Sequence, residues 1–296
     1  MKILFYLALP LCLFSMANAQ NNTAYWQQHV DYTMVIDVDE KNNQYSGKQT
    51  LVYTNNSPDV LDKVFYHLYF NAFQPGSEMD VRSLTIEDPD RRVGDRISKL
   101  SPSEIGYIKP RKLTQDGKKL DYQIVGTVLE VTLREPIQPG AKSTFKMSWD
   151  AQIPLQIRRS GRDNPEGVRF SMTQWYPKMA EYDFQGWHAD PYIAREFHSP
   201  WGNFNVTINI DKKYTVAGTG YNKTNIMGEN PYKPVMFARK GKKSWNFIAP
   251  NVHDFTWAAD KDYWHQQLLT DNGTTLTHYV KTNPDSSENW TNRKPQ

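Results

Sequence analysis

Cysteine is nearly absent from this chain of 296 residues, in which Cys12 is the only one. It lies in an N-terminal segment that begins with Lys2, continues as an apolar run and ends in Ala-Asn-Ala at residues 17–19. A positive start, a short apolar run and a small-residue cleavage site are typical of a secretory signal peptide. We therefore predict that residues 1–19 are a signal peptide. The mature chain would be exported, either periplasmic or secreted, and would have no disulfide.

The chain has no other long apolar run, and a helix that spans a bilayer needs about 20 apolar residues. No transmembrane segment is therefore predicted. The chain contains 35 Lys and Arg residues and 32 Asp and Glu residues, so its net charge is small. The basic residues are scattered along the sequence. Nucleic-acid binding would need a larger basic face, so we expect no nucleic-acid partner.

Several catalytic motifs are missing as well. No G-x-S-x-G sequence is present to hold a nucleophilic serine, and a mature chain without cysteine offers no thiolate. Gly218 and Gly220 end an apolar stretch that no helical pattern follows, so they do not form a phosphate-binding loop. No His-Glu dipeptide occurs anywhere in the sequence, which excludes the H-E-x-x-H zinc motif from these residues.

What the sequence does contain is short apolar stretches with period-two alternation, separated by polar turns. Residues 32–38 and 45–53 alternate in this way and are predicted to pair as a hairpin. No convincing amphipathic helix of a dozen residues is present, so the predicted fold is all-β, a sandwich or bent sheet. Further strands are predicted at residues 60–70, 105–108, 120–125, 127–133, 143–153, 203–210, 214–218, 235–239, 244–249 and 252–259.

Three segments depart from this pattern, and one further strand lies between the last two of them. Residues 74–104 are charged, contain Pro and Gly and show little periodicity, and are predicted to form a long surface loop. Residues 260–267 are interpreted as a helical turn or loop, and residues 274–282 as one more strand. Residues 284–288 fit either the start of a helix or a polar tail.

Aromatic, proline and ionisable residues are unusually dense between Gln174 and Gly202. This stretch resembles part of the N-terminal β domain of the aminopeptidase-N-like zinc metallopeptidases, the gluzincin aminopeptidases. The resemblance runs from about Tyr25 to Gln296. Its main segments are Gln-Trp-Tyr-Pro-Lys-Met at 174–179, Gly-Trp-His at 186–188, Pro-Trp-Gly at 200–202, Asn-Val-Thr-Ile at 205–208 and Asn-Val-His-Asp-Phe-Thr-Trp-Ala-Ala at 251–259.

The resemblance implies a saddle-like β domain over residues 20–260 that lies against a thermolysin-like catalytic domain. Residues 274–282 would be the first strand of that catalytic domain. Residues 261–296 are therefore expected to be its start, truncated before the zinc-binding motif. The partner of the β domain would be the catalytic domain of the same parent chain.

In the family, the catalytic domain binds zinc through H-E-x-x-H and a distal Glu, and the zinc activates the water that hydrolyses the peptide. Because this sequence has no such motif, no catalytic residue, metal ligand or cofactor is assigned to it. Zinc and most of the peptide-substrate site are expected in the missing catalytic domain. The fragment alone is expected to be inactive.

The family's N-terminal domain lends one Gln or Glu side chain to the end of the pocket that binds the free amine of the substrate. By that resemblance Gln174, which directly precedes Trp175, is the candidate substrate-binding residue. The alternative is that Gln174 bonds the backbone where two domains meet.

Two pairs of metal-capable residues occur in the same stretch, His188-x-Asp190 and Glu196-x-His198. Spacing of i, i+2 places each pair on one face of a strand. A metal site needs several such groups to converge in a defined geometry, which spacing alone does not show. We interpret these residues as ordinary hydrogen-bonded polar groups.

The aromatic residues of this stretch have three interpretations: core packing, an interface with the catalytic domain, or a surface on which sugars stack. Core packing is favoured. The last interpretation supports an alternative function, an independent extracytoplasmic β-sandwich module that binds a glycan or a protein partner. The residues concerned are Trp175, Tyr176, Tyr182, Phe184, Trp187, Tyr192 and Trp201.

Overall fold

The computed structural model describes residues 25–87, 90–194, 197–224 and 241–281. Within these ranges the chain folds into β-sheets with a single short α-helix, so the all-β prediction is confirmed. No helix in these ranges is long and apolar enough to cross a membrane. The predictions that fall outside the described residues concern the signal peptide at 1–19, the strand at 235–239, the segment 284–288 and Glu196.

The strands are β1 (His29–Asp39), β2 (Gln44–Thr54), β3 (Leu61–His67), β4 (Tyr107–Gln115), β5 (Lys118–Lys119), β6 (Tyr122–Val125), β7 (Val128–Ile137), β8 (Lys142–Gln152), β9 (Gly161–Arg162), β10 (Phe170–Met172), β11 (Lys178–Met179), β12 (Tyr182–Asp183), β13 (Gly186–Trp187), β14 (Trp201–Asp211), β15 (Thr215–Gly218), β16 (Tyr221–Asn222), β17 (Lys242–Val252), β18 (Trp257–Asp260), β19 (Tyr263–Leu269) and β20 (Thr275–Lys281). The helical segments are α1 (Glu78–Thr85) and two 3-10 helices at Tyr69–Ala72 and Ile97–Lys99.

The largest sheet has eight strands in the order β16-β17-β14-β1-β2-β8-β4-β5. β1 and β2 pair antiparallel with Tyr32 opposite Leu51, which confirms the predicted hairpin. On its other side β1 pairs in parallel with β14. Alternate residues of β1, such as Met34 and Ile36, are fully buried because successive side chains of a strand point to opposite faces. The buried face of this sheet therefore forms one wall of the core.

Two four-stranded sheets, β11-β3-β7-β6 and β15-β18-β10-β9, accompany the large sheet, and the pairs β12-β13 and β19-β20 form two-stranded sheets. Tyr66 of β3 meets Phe145 of β8 edge to face, with ring centroids 6.4 Å apart. Tyr45 of β2 meets Trp175, just beyond β10, with centroids 6.3 Å apart. Aromatic pairs favour such edge-to-face contacts. These contacts join the large sheet to both four-stranded sheets, and the core lies between them as in a sandwich.

The segment 74–104 is not simply a surface loop, and that prediction was wrong in part. α1 begins after Ser77, whose Oγ accepts a hydrogen bond from the N–H of Asp80 at 3.1 Å, as an N-cap does. Met79 of this helix is fully buried, as is Ile97 in the 3-10 helix that follows. The few buried side chains are too widely spaced to produce a periodic pattern in the sequence.

The segment 260–267 is mainly a strand, so the interpretation as a helical turn or loop was wrong. β19 pairs antiparallel with β20, which confirms the strand predicted at 274–282. Tyr279 of β20 contacts Tyr263 and stacks on His265, with ring centroids 6.2 and 5.5 Å apart. Cross-strand aromatic pairs of this kind stabilise a hairpin. That this hairpin begins a catalytic domain stays a prediction.

Candidate functional site

β10 ends just before the aromatic-rich stretch that begins at Gln174. The Ser160 hydroxyl fixes the chain there, because it donates to the C=O of Thr173 at 2.6 Å and lies 3.2 Å from the N–H of the same residue. Gln174 follows with a φ of 51°, in the left-handed region that non-glycine residues seldom adopt. The backbone therefore turns sharply after β10 and leads directly into the buried Trp175.

The side-chain amide of Gln174 is only partly used. Gln174 is 7% exposed, and its Oε1 accepts a hydrogen bond from Oγ1 of Thr173 at 2.6 Å. Its NH2 group makes no hydrogen bond to any described residue. An amide oxygen has two lone pairs, so Oε1 retains one acceptor position. The substrate-binding role of Gln174 stays a prediction, but the backbone contact expected in the alternative does not occur among the described residues.

An open groove of about 440 Å³ runs beside this turn. Thr173, next to Gln174, is one of its lining residues. The groove follows the outer side of the sheet β15-β18-β10-β9 and reaches β20 of the last hairpin. Its other lining residues are Ser171, Met172, Ala217, Gly218, Thr219, Thr256, Trp257, Ala258, Thr277 and Tyr279.

The residues behind the turn hold it in place. Trp175 is fully buried, and its Nε1 donates to the C=O of Phe255 at 3.0 Å. The hydroxyl of Tyr45 donates to the C=O of Trp175. Tyr176, also fully buried, donates to Oδ1 of Asp254 at 2.9 Å. Because a side chain that is both packed and hydrogen-bonded has little freedom, the backbone at Gln174 has a rigid support.

A buried charge pair lies under the same segment. Lys178 of β11 is 2% exposed at its side chain, and its Nζ lies 3.1 Å from Oδ2 of Asp254. Burial lowers the pKa of Lys178, and the carboxylate of Asp254 acts in the opposite direction. His67, opposite Lys178 on β3, has a pKa lowered to about 4 by burial and by the nearby Lys178 ammonium. The interior at this point therefore places a lysine of lowered pKa, paired with a carboxylate, next to a neutral imidazole.

The aromatic residues of the stretch divide into three groups. Tyr182 and Trp187 are partly buried and pack against the core. Trp175, Tyr176 and Tyr192 are buried, so core packing is the correct interpretation for them. Phe184 and Trp201 remain exposed, at 86% and 44%. Both line a second cavity of about 440 Å³, on the side of the sandwich that holds the β12–β13 hairpin. The other lining residues are Tyr25, Trp26, Gln27, Glu181, Asp183, His198, Ser199 and His253.

Titratable groups that the sequence did not connect lie in or next to the second cavity. Glu181 is 7% exposed, and burial raises its pKa to about 7. His188 and His198, from the two metal-capable pairs, lie side by side with ring centroids 4.7 Å apart. Both approach Asp183, whereas Asp190 is exposed and lies outside this group. Sequence reasoning missed Asp183. It lies five residues before His188, and this spacing does not indicate proximity unless the hairpin between them is known.

The zinc site of the resembled family has no ligands in this chain. H-E-x-x-H needs two histidines on one face of a helix, and no His-Glu dipeptide occurs. All seven histidines lie on strands or in loops of the described ranges, and α1 contains none. We therefore derive no peptidase step from these residues.

No protein-family model matches the chain, and no curated protein matches it. Solved structures of M1 zinc metallopeptidases do. A two-domain M1 zinc metallopeptidase variant bound to L-tryptophan is similar over 86% of this chain and 47% of its own, with a TM-score of 0.47 and 13% identity. A variant from Deinococcus radiodurans bound to a Tyr-Ser-Ala substrate gives the same coverage of 86% and 47%, a TM-score of 0.47 and 12% identity. The chain spans about half the length of these solved chains.

Proposed function

We propose that this chain is the N-terminal β domain of an exported, aminopeptidase-N-like zinc metallopeptidase. Its role would be to cap the catalytic domain and to shape the side at which substrate enters. The observation that carries the proposal is the position of Gln174. Gln174 lies at a left-handed turn after β10, directly follows Thr173, which lines an open groove, and has an amide oxygen that retains one acceptor position.

The proposed contact is between Oε1 of Gln174 and the terminal ammonium of a peptide. An ammonium group donates hydrogen bonds, and an amide oxygen with a free lone pair accepts one. A hydrogen bond to a charged group contributes about 1.5–3 kcal/mol. Zinc, bound by ligands outside this sequence, would polarise the scissile carbonyl. The residues of this chain would position the amine end of the substrate.

The first test is to sequence the gene downstream of the codon for Gln296. A reading frame that continues, or resumes after a frameshift, with H-E-x-x-H and a later Glu would support the proposal. A true stop codon with no such motif beyond it would overturn it. In either case the pure 296-residue chain should not hydrolyse aminoacyl p-nitroanilides, and chelator-sensitive turnover by this chain alone would contradict the expected inactivity.

The second test concerns Gln174 in the assembled enzyme. We expect Gln174→Ala to lower kcat/KM for free-amine substrates by about 10- to 100-fold, because one hydrogen bond to a charged group is lost. N-acetylated substrates would show no such sensitivity. Gln138→Ala, in an exposed turn, is the matched control and should leave kcat/KM unchanged. Equal effects of the two substitutions would rule out the assigned role.

One observation favours the second candidate, a binding module. Phe184 and Trp201 are exposed beside a cavity, and exposed aromatic rings are the groups on which sugars or partner side chains stack. Trp187 is not such a group, because it packs against Tyr53 and Phe65 with centroids 6.2 and 5.6 Å apart. Tight binding on a glycan panel that both Phe184→Ala and Trp201→Ala abolish would favour this candidate.

A further inference from the structure

The geometry points to a site for a divalent transition-metal ion of the Zn²⁺ type, formed by Asp183, His188 and His198. Their ligand atoms, one from each side chain, all lie within 4.8 Å of one another. The inference rests on these three side chains and is independent of the proposed function.

The β12–β13 hairpin determines the position of the carboxylate. Asp183 and Gly186 pair across the hairpin, and Gly186 has a φ of 97° that favours glycine. The N–H of Gln185 donates to Oδ1 of Asp183 at 2.8 Å. One carboxylate oxygen is therefore fixed by the turn itself, and the other, Oδ2, is available for a different partner.

Both imidazoles approach that second oxygen. Nε2 of His188, which directly follows β13, lies 2.8 Å from Oδ2 of Asp183. Nε2 of His198, ten residues further along the chain, lies 3.7 Å from the same atom. The two rings are nearly perpendicular, at 86°, so they are not stacked on each other. Two imidazole nitrogens and one carboxylate oxygen are thus close enough together to share one ion.

Nε2 of His188 is buried and makes no aligned hydrogen bond to any described residue, although Oδ2 of Asp183 lies 2.8 Å away. A buried ring nitrogen without an aligned partner is costly in an ordinary hydrogen-bonded cluster. A metal ion bound to that nitrogen would satisfy it.

Two imidazole nitrogens with one carboxylate oxygen form a ligand set that Zn²⁺ uses in proteins. Bonds of about 2.0–2.2 Å in a tetrahedron place ligand atoms about 3.3 Å apart. The separations of 2.8 and 3.7 Å lie on either side of that value, so small side-chain rotations would suffice. Oxygen-only ligand sets suit Mg²⁺ and Ca²⁺, so this set favours Zn²⁺ or a related transition ion.

Three protein ligands leave one tetrahedral position for another molecule. Asp183 and His198 both line the second cavity of about 440 Å³. The fourth position is therefore expected to face this cavity, where water or a small anionic ligand such as a carboxylate would bind.

The test uses the full chain without a histidine tag, first treated with a chelator and then dialysed. Isothermal titration calorimetry with ZnCl2 is expected to show one ion bound per chain. Titration with CoCl2 is expected to give the intense visible absorption of a tetrahedral Co²⁺ complex with nitrogen and oxygen ligands. This spectrum reports on the ligands directly, so it separates this site from weak surface binding.

The variants are Asp183→Asn, His188→Gln and His198→Gln. Each is expected to weaken Zn²⁺ binding by about 100-fold or more, since lost outer-sphere partners alone already cost 10- to 100-fold. The side chain of His198 is 54% exposed, so His198→Gln is expected to fold normally. The control is His29→Gln, which removes another His–Asp pair, with His29 Nε2 3.3 Å from Asp31 Oδ1.

No stoichiometric Zn²⁺ binding by the chelator-treated chain would overturn the proposal. Stoichiometric binding that His198→Gln leaves unchanged, with circular dichroism identical to that of the parent chain, would overturn it equally. Binding that is lost in His29→Gln and retained in the three variants would assign the ion to the other pair. Loss of the Co²⁺ spectrum in the three variants and its retention in His29→Gln would confirm the site.

Discussion

Lys178 and Asp254 form an ion pair inside the sandwich, with Nζ 3.1 Å from Oδ2 and the lysine side chain 2% exposed. Asp254 also accepts hydrogen bonds from the Tyr176 hydroxyl at 2.9 Å and from the N–H of Phe255 at 2.8 Å. The carboxylate therefore has several partners, whereas the ammonium has no aligned hydrogen bond among the described residues. Lys178 depends on this one carboxylate for charge compensation.

We therefore predict that Asp254→Asn lowers the free energy of unfolding by about 3–5 kcal/mol, because it leaves a buried cation without a counter-charge. The double variant Lys178→Met/Asp254→Asn should recover a large part of that loss, since a buried pair replaced by uncharged groups is often near neutral. Urea denaturation followed by tryptophan fluorescence measures both. If the double variant were no more stable than Asp254→Asn, the ion pair would not be the cause.

Gly47 of β2 lies directly against Trp149 of β8, its cross-strand neighbour. A Cβ at Gly47 would lie 2.1 Å from Cζ2 of Trp149, and this tryptophan is 1% exposed and cannot move aside. Overpacking of a tight core costs about 1–3 kcal/mol. We expect Gly47→Ala to lower the free energy of unfolding by that amount, measured by chemical denaturation.

Ser46→Ala, at the exposed neighbouring position, is the control for the Gly47 prediction and should change stability by less than about 0.5 kcal/mol. A double-mutant cycle with Trp149→Leu adds a direct check, because the smaller side chain leaves room for the alanine methyl group. The cost of Gly47→Ala should then fall. An equal cost in both backgrounds would show that the two residues do not interact.

Sequence patterns predicted the fold well where one face of a strand is buried. The hairpin of residues 32–53 was found because its buried residues alternate with exposed ones, as in β1 and β2. α1 was missed because its signal lies in the Ser77 cap and two buried side chains, Met79 and Asp80, rather than in a periodic stripe.

The candidate site was less accessible to sequence reasoning. His188 and His198 lie near Asp183 for two reasons: the β12–β13 hairpin is tight, and the ten residues after His188 bring His198 back toward Asp183. The spacing of these residues along the sequence does not reveal either feature. The role suggested for Gln174 came from family resemblance. Its left-handed backbone could not be predicted, because local sequence favours it only weakly in a residue with a Cβ.

The left-handed conformation of Gln174 leads to a separate prediction. A residue with a Cβ is disfavoured there by about 1–2 kcal/mol, and a β-branched one by more. We expect Gln174→Val to lower the melting temperature and Gln174→Gly to leave it unchanged or raise it, as measured by differential scanning calorimetry. Thr173→Val removes the hydroxyl that donates to Gln174 and separates backbone strain from that hydrogen bond. If glycine destabilised more than valine, backbone strain would not govern this position.

Alkaline pH should destabilise the chain, because several tyrosines are buried with a raised pKa. Burial raises the pKa in each case, and the residues are Tyr32, Tyr45, Tyr53, Tyr66 and Tyr176. In the unfolded chain tyrosine loses its proton near pH 10. Above that pH the folded state binds more protons than the unfolded state, so the free energy of unfolding falls as pH rises.

Each buried tyrosine is expected to contribute up to about 1.4 kcal/mol per pH unit to this fall. The lowered pKa of Lys178 acts in the opposite direction, but it is one group against five. Urea denaturation between about pH 8 and 11 measures how steeply the free energy of unfolding falls with pH.

The hydroxyls of Tyr53 and Tyr66 have no hydrogen-bond partner among the described residues, so Tyr53→Phe and Tyr66→Phe remove a titrating group without breaking a hydrogen bond. Each variant should reduce the slope, and an unchanged slope in both would mean that these hydroxyls do not cause the alkaline unfolding.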